Sequence, residues 1–441
     1  MTIDRRAMIA GSLALTLAGG VSAAWAMPAF VRRRGMRLER QGRPYRYGGA
    51  NMWYAAYLGA AAPVGDADRL RRELDMLAAM GVRNLRILAS SELSPLRNSL
   101  RPTFRDAGAA YNDALLRGLD VALAEMAKRQ MTAVLYLTNF WEWSGGMMTY
   151  LSWVNGGTFI NNGDPAHPWP EFADRASDFY TDPRAVRLYR DYVRAVVSRT
   201  NSVTGTRYRD DPTIMAWQLA NEPRPGGGTA VAQANMPAFL RWVSDTTALI
   251  RSLDPNHLVS SGSEGLMGCV EDEACVLAEH GSTGIDYLTV HIWPLNWRWI
   301  DPKDIPGSWD RGEARVRQSV ADHVRLARRL GKPLVIEEFG FARDVGYDPG
   351  TATLWRDRFY RLIYDLAQAD GAAGGPIAGT NFWAWGGAGR AGGAEHRYVA
   401  GPASYMGDPP HEPQGWYSVF DTDASTRRII ADHAAAMTRL R

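Results

Sequence analysis

Two hydrophobic periods alternate along this chain. Short runs in which most positions are apolar, the pattern of strands buried on both faces, recur at 45–51, 82–88, 132–139, 214–221, 257–263, 286–293, 333–340 and 379–385. Between most of them, apolar residues spaced three and four apart predict helices at 67–80, 112–129, 183–200, 236–253, 314–330, 354–369 and 426–440. In the first of these, Leu70, Leu74, Leu77 and Met80 share one face. The link between the fifth and sixth strands carries only a short helical piece near 272–279. Eight strands in β-then-α alternation predict a (β/α)₈ barrel. A doubly wound open sheet is the rival, and the absence of G-x-G-x-x-G after the first strand weakens its nucleotide-binding form. Ahead of the barrel, 36–44 predicts a short hairpin turning at Gln41-Gly42. With no internal repeat and no low-complexity linker, residues 27–441 are expected to form one barrel domain.

The strands change character at their C-terminal ends. The apolar run Ile214-Met-Ala-Trp-Gln-Leu-Ala220 stops at Asn221-Glu222-Pro223. Pro223 has no N–H and biases Glu222 away from helix, so a carboxylate is left at the tip of a buried strand, where barrels carry their chemistry. The run Pro333-Leu-Val-Ile336 stops in the same way at Glu337-Glu338. Strand alternation sends these two acids to opposite sides, one toward the barrel axis and one outward. Arg86, Asn139, His291, Trp293, Trp383 and Trp385 occupy matching positions in other strands. A buried Arg86 needs a carboxylate partner, and the two acids are the candidates. Two long segments after strand ends, 140–182 and 386–413, carry Trp141, Trp143, Trp153 and Trp169, and His396, Tyr398, Tyr405 and His411; long loops on that face are expected to be functional.

Composition narrows the choice. The net charge is +3 with both signs interspersed, which argues against nucleic acid as a partner. The arginines at 32, 33, 34, 37, 40 and 43 read as a solvated strand edge. Sixteen Trp and 18 Tyr, many in loops, supply flat platforms suited to sugar rings. At the N-terminus, Arg5-Arg6, an apolar run to Ala24 and the small-x-small Ala24-Trp25-Ala26 form a targeting segment. It resembles a twin-arginine signal. Residues 1–26 are therefore set apart as a leader, and an exported protein, periplasmic or extracellular, with no stable membrane insertion after cleavage, is expected. Cys269 and Cys275 can close a small disulfide loop in such a protein. The eight scattered His and the absence of H-E-x-x-H point away from a metal, and Gly262-Ser-Glu-Gly265 matches a nucleophile elbow poorly.

Four stretches carry a resemblance: Asp211–Arg224 with its N-E-P, Ile285-Asp-Tyr-Leu-Thr-Val-His-Ile-Trp-Pro294, Lys332-Pro-Leu-Val-Ile-Glu-Glu-Phe-Gly340 and Phe382-Trp-Ala-Trp385. In this order they resemble glycoside hydrolase family 5, a (β/α)₈ retaining group, and within it the β-mannanase subfamily. The resemblance implies Glu222 as acid/base and Glu338 as nucleophile. It further implies Asn221 on the sugar 2-hydroxyl, Arg86 holding Glu338 ionised, Asn139 ending the third strand, His291 beside the acid/base, and Trp383 flooring the cleaved sugar's subsite. Trp53 and Trp143 complete the expected substrate-binding set. Trp293 departs from the pattern, standing where the family usually has a Tyr that bonds the nucleophile. The implied reaction is double displacement on β-1,4-mannosidic linkages of mannan or manno-oligosaccharides, with no cofactor and no metal. Burial and the charge of Glu338 are expected to keep Glu222 neutral, and Arg86 to keep Glu338 ionised. Endo against exo action, a β-1,4-glucan substrate and a non-catalytic sugar-binding barrel remain as alternatives.

Overall fold

The computed structural model describes residues 30–108 and 110–440, and the expected leader lies outside them. Eight parallel strands form the core: β1 (Tyr47–Asn51), β2 (Asn84–Leu88), β3 (Thr132–Tyr136), β4 (Ile214–Gln218), β5 (Leu258–Ser260), β6 (Leu288–Ile292), β7 (Leu334–Phe339) and β8 (Ile377–Phe382). They are hydrogen-bonded in the order β5-β4-β3-β2-β1-β8-β7-β6. The ends of that row meet as well: Asp286 N donates to Val259 O at 2.8 Å and Thr289 Oγ1 to Ser263 O at 2.7 Å. This is a nearly closed (β/α)₈ barrel, as the alternation predicted. Every residue of the eight strands is buried, which is why their sequences read as runs rather than alternations.

A helix follows each strand: α1 (Ala67–Ala79), α2 (Asp113–Lys128), α3 (Pro183–Val197), α4 (Thr229–Leu253), α5 (Glu273–Gly281), α6 (Ile305–Leu330), α7 (Leu354–Ala372) and α8 (Ala424–Arg439). Asp66, Asn112, Asp182, Asp272 and Asp304 cap five of them by accepting backbone N–H groups of the first turn. Both α4 and α6 begin earlier than their periodicity indicates. Asp304 nucleates α6 with Pro306 in the first turn, a place where proline is tolerated, while Gly307 and Gly312 blank the apolar period there.

The N-terminal hairpin is a three-stranded sheet, Val31–Arg34, Arg37–Arg40 and Arg43–Pro44, turning at Gly35 and Gly42. Its arginines are mostly exposed, as expected, while Val31 and Leu38 pack with Tyr47, Val134, Met215, Tyr287 and Val335. At the opposite face, the 140–182 segment holds two short helices, Gly146–Val154 and Glu171–Ser177. The eighth strand stops at Phe382 rather than 385, and Trp385–Gly387 leaves the barrel to pair with Val419–Phe420. A disulfide joins Cys269, in the loop before α5, to Cys275 in the first turn of α5. Among the described residues, no helix is long and apolar enough to cross a membrane.

Candidate active site

Backbone pairing that continues past β3 and β4 sets the site. Asn221 N donates to Thr138 O and Phe140 N to Asn221 O, at 2.8 and 2.9 Å. Asn139 and Asn221 bridge side by side. The next residue turns sharply. Glu222 has φ +51°, in the left-handed region rather than the extended one expected before a proline. Its N–H is held at 2.9 Å by Gly262 O from the end of β5. A non-glycine residue kept in that conformation by its neighbours is a common mark of a functional position.

Glu338 arrives from β7. At least one oxygen of Glu222 and one of Glu338 lie within 4.8 Å of each other, with His291 in the same triangle. Both carboxylates are buried, at 8% and 2% exposure. Arg86 Nη1 donates to Glu338 Oε1, and the same guanidinium reaches Gln218 Oε1 and Asn221 Oδ1, both at 2.7 Å. His291 Nδ1 meets Glu222 Oε1 at 2.6 Å and stands 3.4 Å from Glu338 Oε2. The indole N–H of Trp141 donates to Glu222 Oε2. Glu222, His291 and Glu338 have the composition of a cation site. However, N–H donors from Trp141 and Arg86 already occupy an oxygen of each acid, and the guanidinium would repel a cation.

The surroundings push the two acids in opposite directions. Burial drives Glu338 up to about 7 against the opposing charges of His291 and Arg86. Burial acts on Glu222 in the same sense, but the hydrogen bond and charge of His291, then Arg224 and Trp141, hold it below the usual carboxylate range. Burial alone would lower His291, yet Glu338, Glu222 and Glu337 raise it to about 10. Glu222 Oε1 and His291 Nδ1, 2.6 Å apart, can thus share one proton, and the acids around the imidazole favour its charged form.

A cleft of about 620 Å³ opens over these groups, lined by Asn221, Glu222, Glu338, Trp143, Trp293 and Trp383 among others. Arg86 and His291 lie beneath it, fully buried against the acids. Asn139 is also beneath, accepting from Asn221 Nδ2 and Trp141 N at 3.0 Å; it orients cleft residues rather than lining the cleft. Trp293 stacks edge-on between Trp383 and Tyr417. No hydrogen bond runs from its indole to Glu338, so it does not take over the tyrosine's part; Arg86 and His291 are the cationic groups in contact with the nucleophile. Trp53 falls outside the cleft. It is fully buried behind Trp143, with its N–H on Gly407 O at 3.0 Å, because the loop after β8 covers that strand end.

Sequence reasoning left several cleft residues unassigned. Trp141 stacks with Phe172 and with Trp169, which is 59% exposed. Arg224 lies over both Trp141 and Trp169 and makes a two-pronged ion pair with Glu264 at 2.5 and 2.7 Å. Glu264 follows β5 and was open to the same strand-end logic that found Glu338. Pro409, His411 and Glu412 enter from the loop after β8. Glu412 keeps only 9% of its side chain exposed, with Oε2 unpartnered, and burial of the carboxyl raises it well above the carboxylate range. Nearby, Tyr417 donates to Asn296 Oδ1 at 2.5 Å and ties this loop to the one after β6.

An eight-stranded parallel barrel presenting two facing carboxylates in an aromatic, guanidinium-backed cleft defines the class: a (β/α)₈ glycoside hydrolase. A family profile described as "GH family 5 beta-mannosidase-like" matches residues 28–441. The chain belongs to glycoside hydrolase family 5. It is similar to a family 5 mannosidase from Rhizomucor miehei, with 35% identity, TM-score 0.84, and coverage of 94% of this chain and 98% of that one. It is 31% identical to a putative mannan endo-1,4-beta-mannosidase 9 of Oryza sativa subsp. japonica, over 85% of this chain and 86% of the relative. An endo-1,4-beta-mannanase from Rhizomucor miehei shares the fold at TM-score 0.67 and 23% identity, with 93% of this chain and 99% of that chain covered.

Proposed function

We propose that this protein is a retaining β-mannosidase that releases mannose from the non-reducing ends of β-1,4-linked manno-oligosaccharides. The observation that carries the retaining part of this reading is the approach of at least one oxygen of Glu222 to one of Glu338 within 4.8 Å. Retaining enzymes hold their carboxyls about 5–5.5 Å apart, whereas inverting ones leave about 6.5–9.5 Å for a water. In the first step a Glu338 oxygen bonds to the anomeric carbon as the bond to the leaving oxygen breaks, and Glu222 delivers a proton to that oxygen. His291 Nδ1, 2.6 Å away, is the source from which Glu222 takes it. The negative charge of Glu338 is consumed in the ester. In the second step water attacks the anomeric carbon, Glu222 accepts its proton, and Glu338 leaves as a carboxylate. The cycle is closed in protons and needs no cofactor.

Action at chain ends is supported by the strap over the end of β7. Tyr417 and Asn296 join two loops there, and Glu412 offers a buried acceptor suited to the hydroxyls of a terminal sugar. The family profile's description and the Rhizomucor miehei mannosidase favour the same reading. The name of the rice relative favours internal cleavage instead. One experiment decides both mode and stereochemistry: mannohexaose hydrolysis followed by chromatography and proton NMR, with cellohexaose as control. Mannose from the first minutes, released first as the β-anomer, is expected. Mixed oligosaccharides would overturn the exo reading, an α-anomer first would overturn retention, and faster cleavage of cellohexaose would overturn the substrate. We further propose that residues 27–441 are the mature catalytic unit and that the preceding segment directs export; N-terminal sequencing of the exported protein tests this.

A further inference from the structure

Strand alternation should carry Glu337 away from Glu338. It does not, because the register of β7 against β6 slips between Ile336 and Glu338. Val290 pairs with Ile336, His291 pairs with Glu338, and Glu337 is the extra residue. Such a bulge re-aims side chains. Here it brings a third carboxylate under the other two. Glu337 is 1% exposed, and its Oε2 accepts from Gln218 Nε2 at 2.6 Å. The same oxygen stands 3.5 Å from Arg86 Nε and 3.7 Å from His291 Nε2. The His291 ring thus lies between two acids, Glu222 at Nδ1 and Glu337 at Nε2, and Nε2 has no hydrogen-bond partner.

We propose that Glu337 is a positioning residue for the catalytic proton: its charge holds His291 as the imidazolium that supplies Glu222, and holds the Nε2–H tautomer once that proton has gone. The inference rests on the assignment of Glu222 as acid/base. The proton balance is simple. The Nδ1 proton passes to Glu222 Oε1 and on to the leaving oxygen, leaving a neutral imidazole with its remaining hydrogen toward Glu337. The proton taken from water in the second step returns by the same route. A partner at the far nitrogen commonly fixes which nitrogen of a histidine is free to exchange. The groups that face this pair come from most of the barrel. Glu222, Glu338 and, from the end of β5, Glu264 face His291, while Arg86 and the neutral phenols of Tyr47, Tyr136 and Tyr287 face Glu337. From above, His411 faces Glu222, and Glu412 faces both catalytic acids.

The test is Glu337→Gln, which keeps shape and removes charge. The proton held by the Glu222–His291 pair should then dissociate more easily. The basic limb of the kcat/KM profile should move to lower pH by about one unit or more, given the strength of a charge at this distance. Hydrolysis of mannobiose, which needs a proton on its leaving group, should fall about tenfold at alkaline pH. An activated aryl mannoside should be affected less, and KM should hardly move. Glu337→Asp should restore much of the limb. An unchanged basic limb in a folded Glu337→Gln variant would overturn the proposal. Should that variant not fold, ¹⁵N-histidine NMR of the unaltered protein at pH 8 decides: a His291 doubly protonated supports the role, and a neutral ring overturns it. Glu222→Gln and Glu338→Gln are run beside it. If they too keep full activity, the catalytic assignment has failed; if they lose activity while Glu337→Gln keeps its limb, only the positioning role has failed.

Discussion

Glu222 and Glu338 show what a residue's sequence context can and cannot reveal. Each ends an apolar run, so a carboxylate at a strand tip was legible from pattern alone. Their protonation was not, because it depends on which cation touches which oxygen. His291 bonds Glu222 directly and Glu338 only at longer range, a difference that burial and Arg86 alone did not suggest. A pH profile follows from this. Glu338 attacks only when ionised, and burial has raised it to about 7, so activity should be lost as pH falls through that value. The proton that Glu222 needs is held with His291 at about 10, so activity should be lost as pH rises toward that value. The kcat/KM of a manno-oligosaccharide should therefore be flat between these limits and fall on both sides. A maximum near pH 5, with a steep loss above pH 7, would contradict the cluster's charge arrangement. Trp53 marks the opposite limit: an aromatic next to a strand end could not be told from a cleft aromatic until Trp143 and Gly407 were seen to enclose it.

At the level of elements, strands were easier to locate than helix starts, and strand ends carried their chemistry openly. Period-two reasoning failed only where pairing broke. The bulge on β7 comes from its register with β6, a long-range fact with no local sequence mark. The end of β5 has a similar dependence. Gly262 has φ +85°, and a Cβ there would lie 1.9 Å from Ala220 O. The missing side chain lets the ends of β4 and β5 close on each other, so that Gly262 O can hold the Glu222 N–H. Gly262→Ala must both relieve that overlap and tolerate a left-handed backbone. A loss of about 3 kcal/mol in stability is expected from the two together. The displaced Glu222 should cost activity even below the melting temperature. Thermal unfolding and kcat/KM at 25 °C measure the two effects separately. Full activity with a lowered melting point would mean that Gly262 supports the barrel without aiming the acid.

For the whole molecule, the barrel supplies the chemistry and the long loops decide what reaches it. The barrel was readable because eight local patterns repeat in order. The loops were not, because their meeting depends on contacts between distant segments: Tyr417 with Asn296, and Trp293 between Tyr417 and Trp383. These contacts tie two loops together beside Glu412, which lines the cleft, and the proposed terminal action requires that they close that side. A polymer crossing the face of a barrel needs both sides open, whereas a chain end needs only one. On soluble mannan, reducing ends should therefore accumulate with little loss of viscosity, since terminal cleavage barely shortens the chains. An open-cleft enzyme would lower viscosity steeply at the same number of cuts. Replacing His411 and Glu412 together by glycine removes the two side chains that stand at that end while leaving the Tyr417–Asn296 tie in place. If they form the barrier, the double variant should lower viscosity faster per reducing end and release longer products from mannohexaose. It should also bind mannobiose more weakly, because the terminal sugar loses the Glu412 acceptor. An unchanged viscosity curve in that variant would shift the barrier to the strap itself. A steep curve in the unaltered protein would show that the cleft is open to polymer from the start.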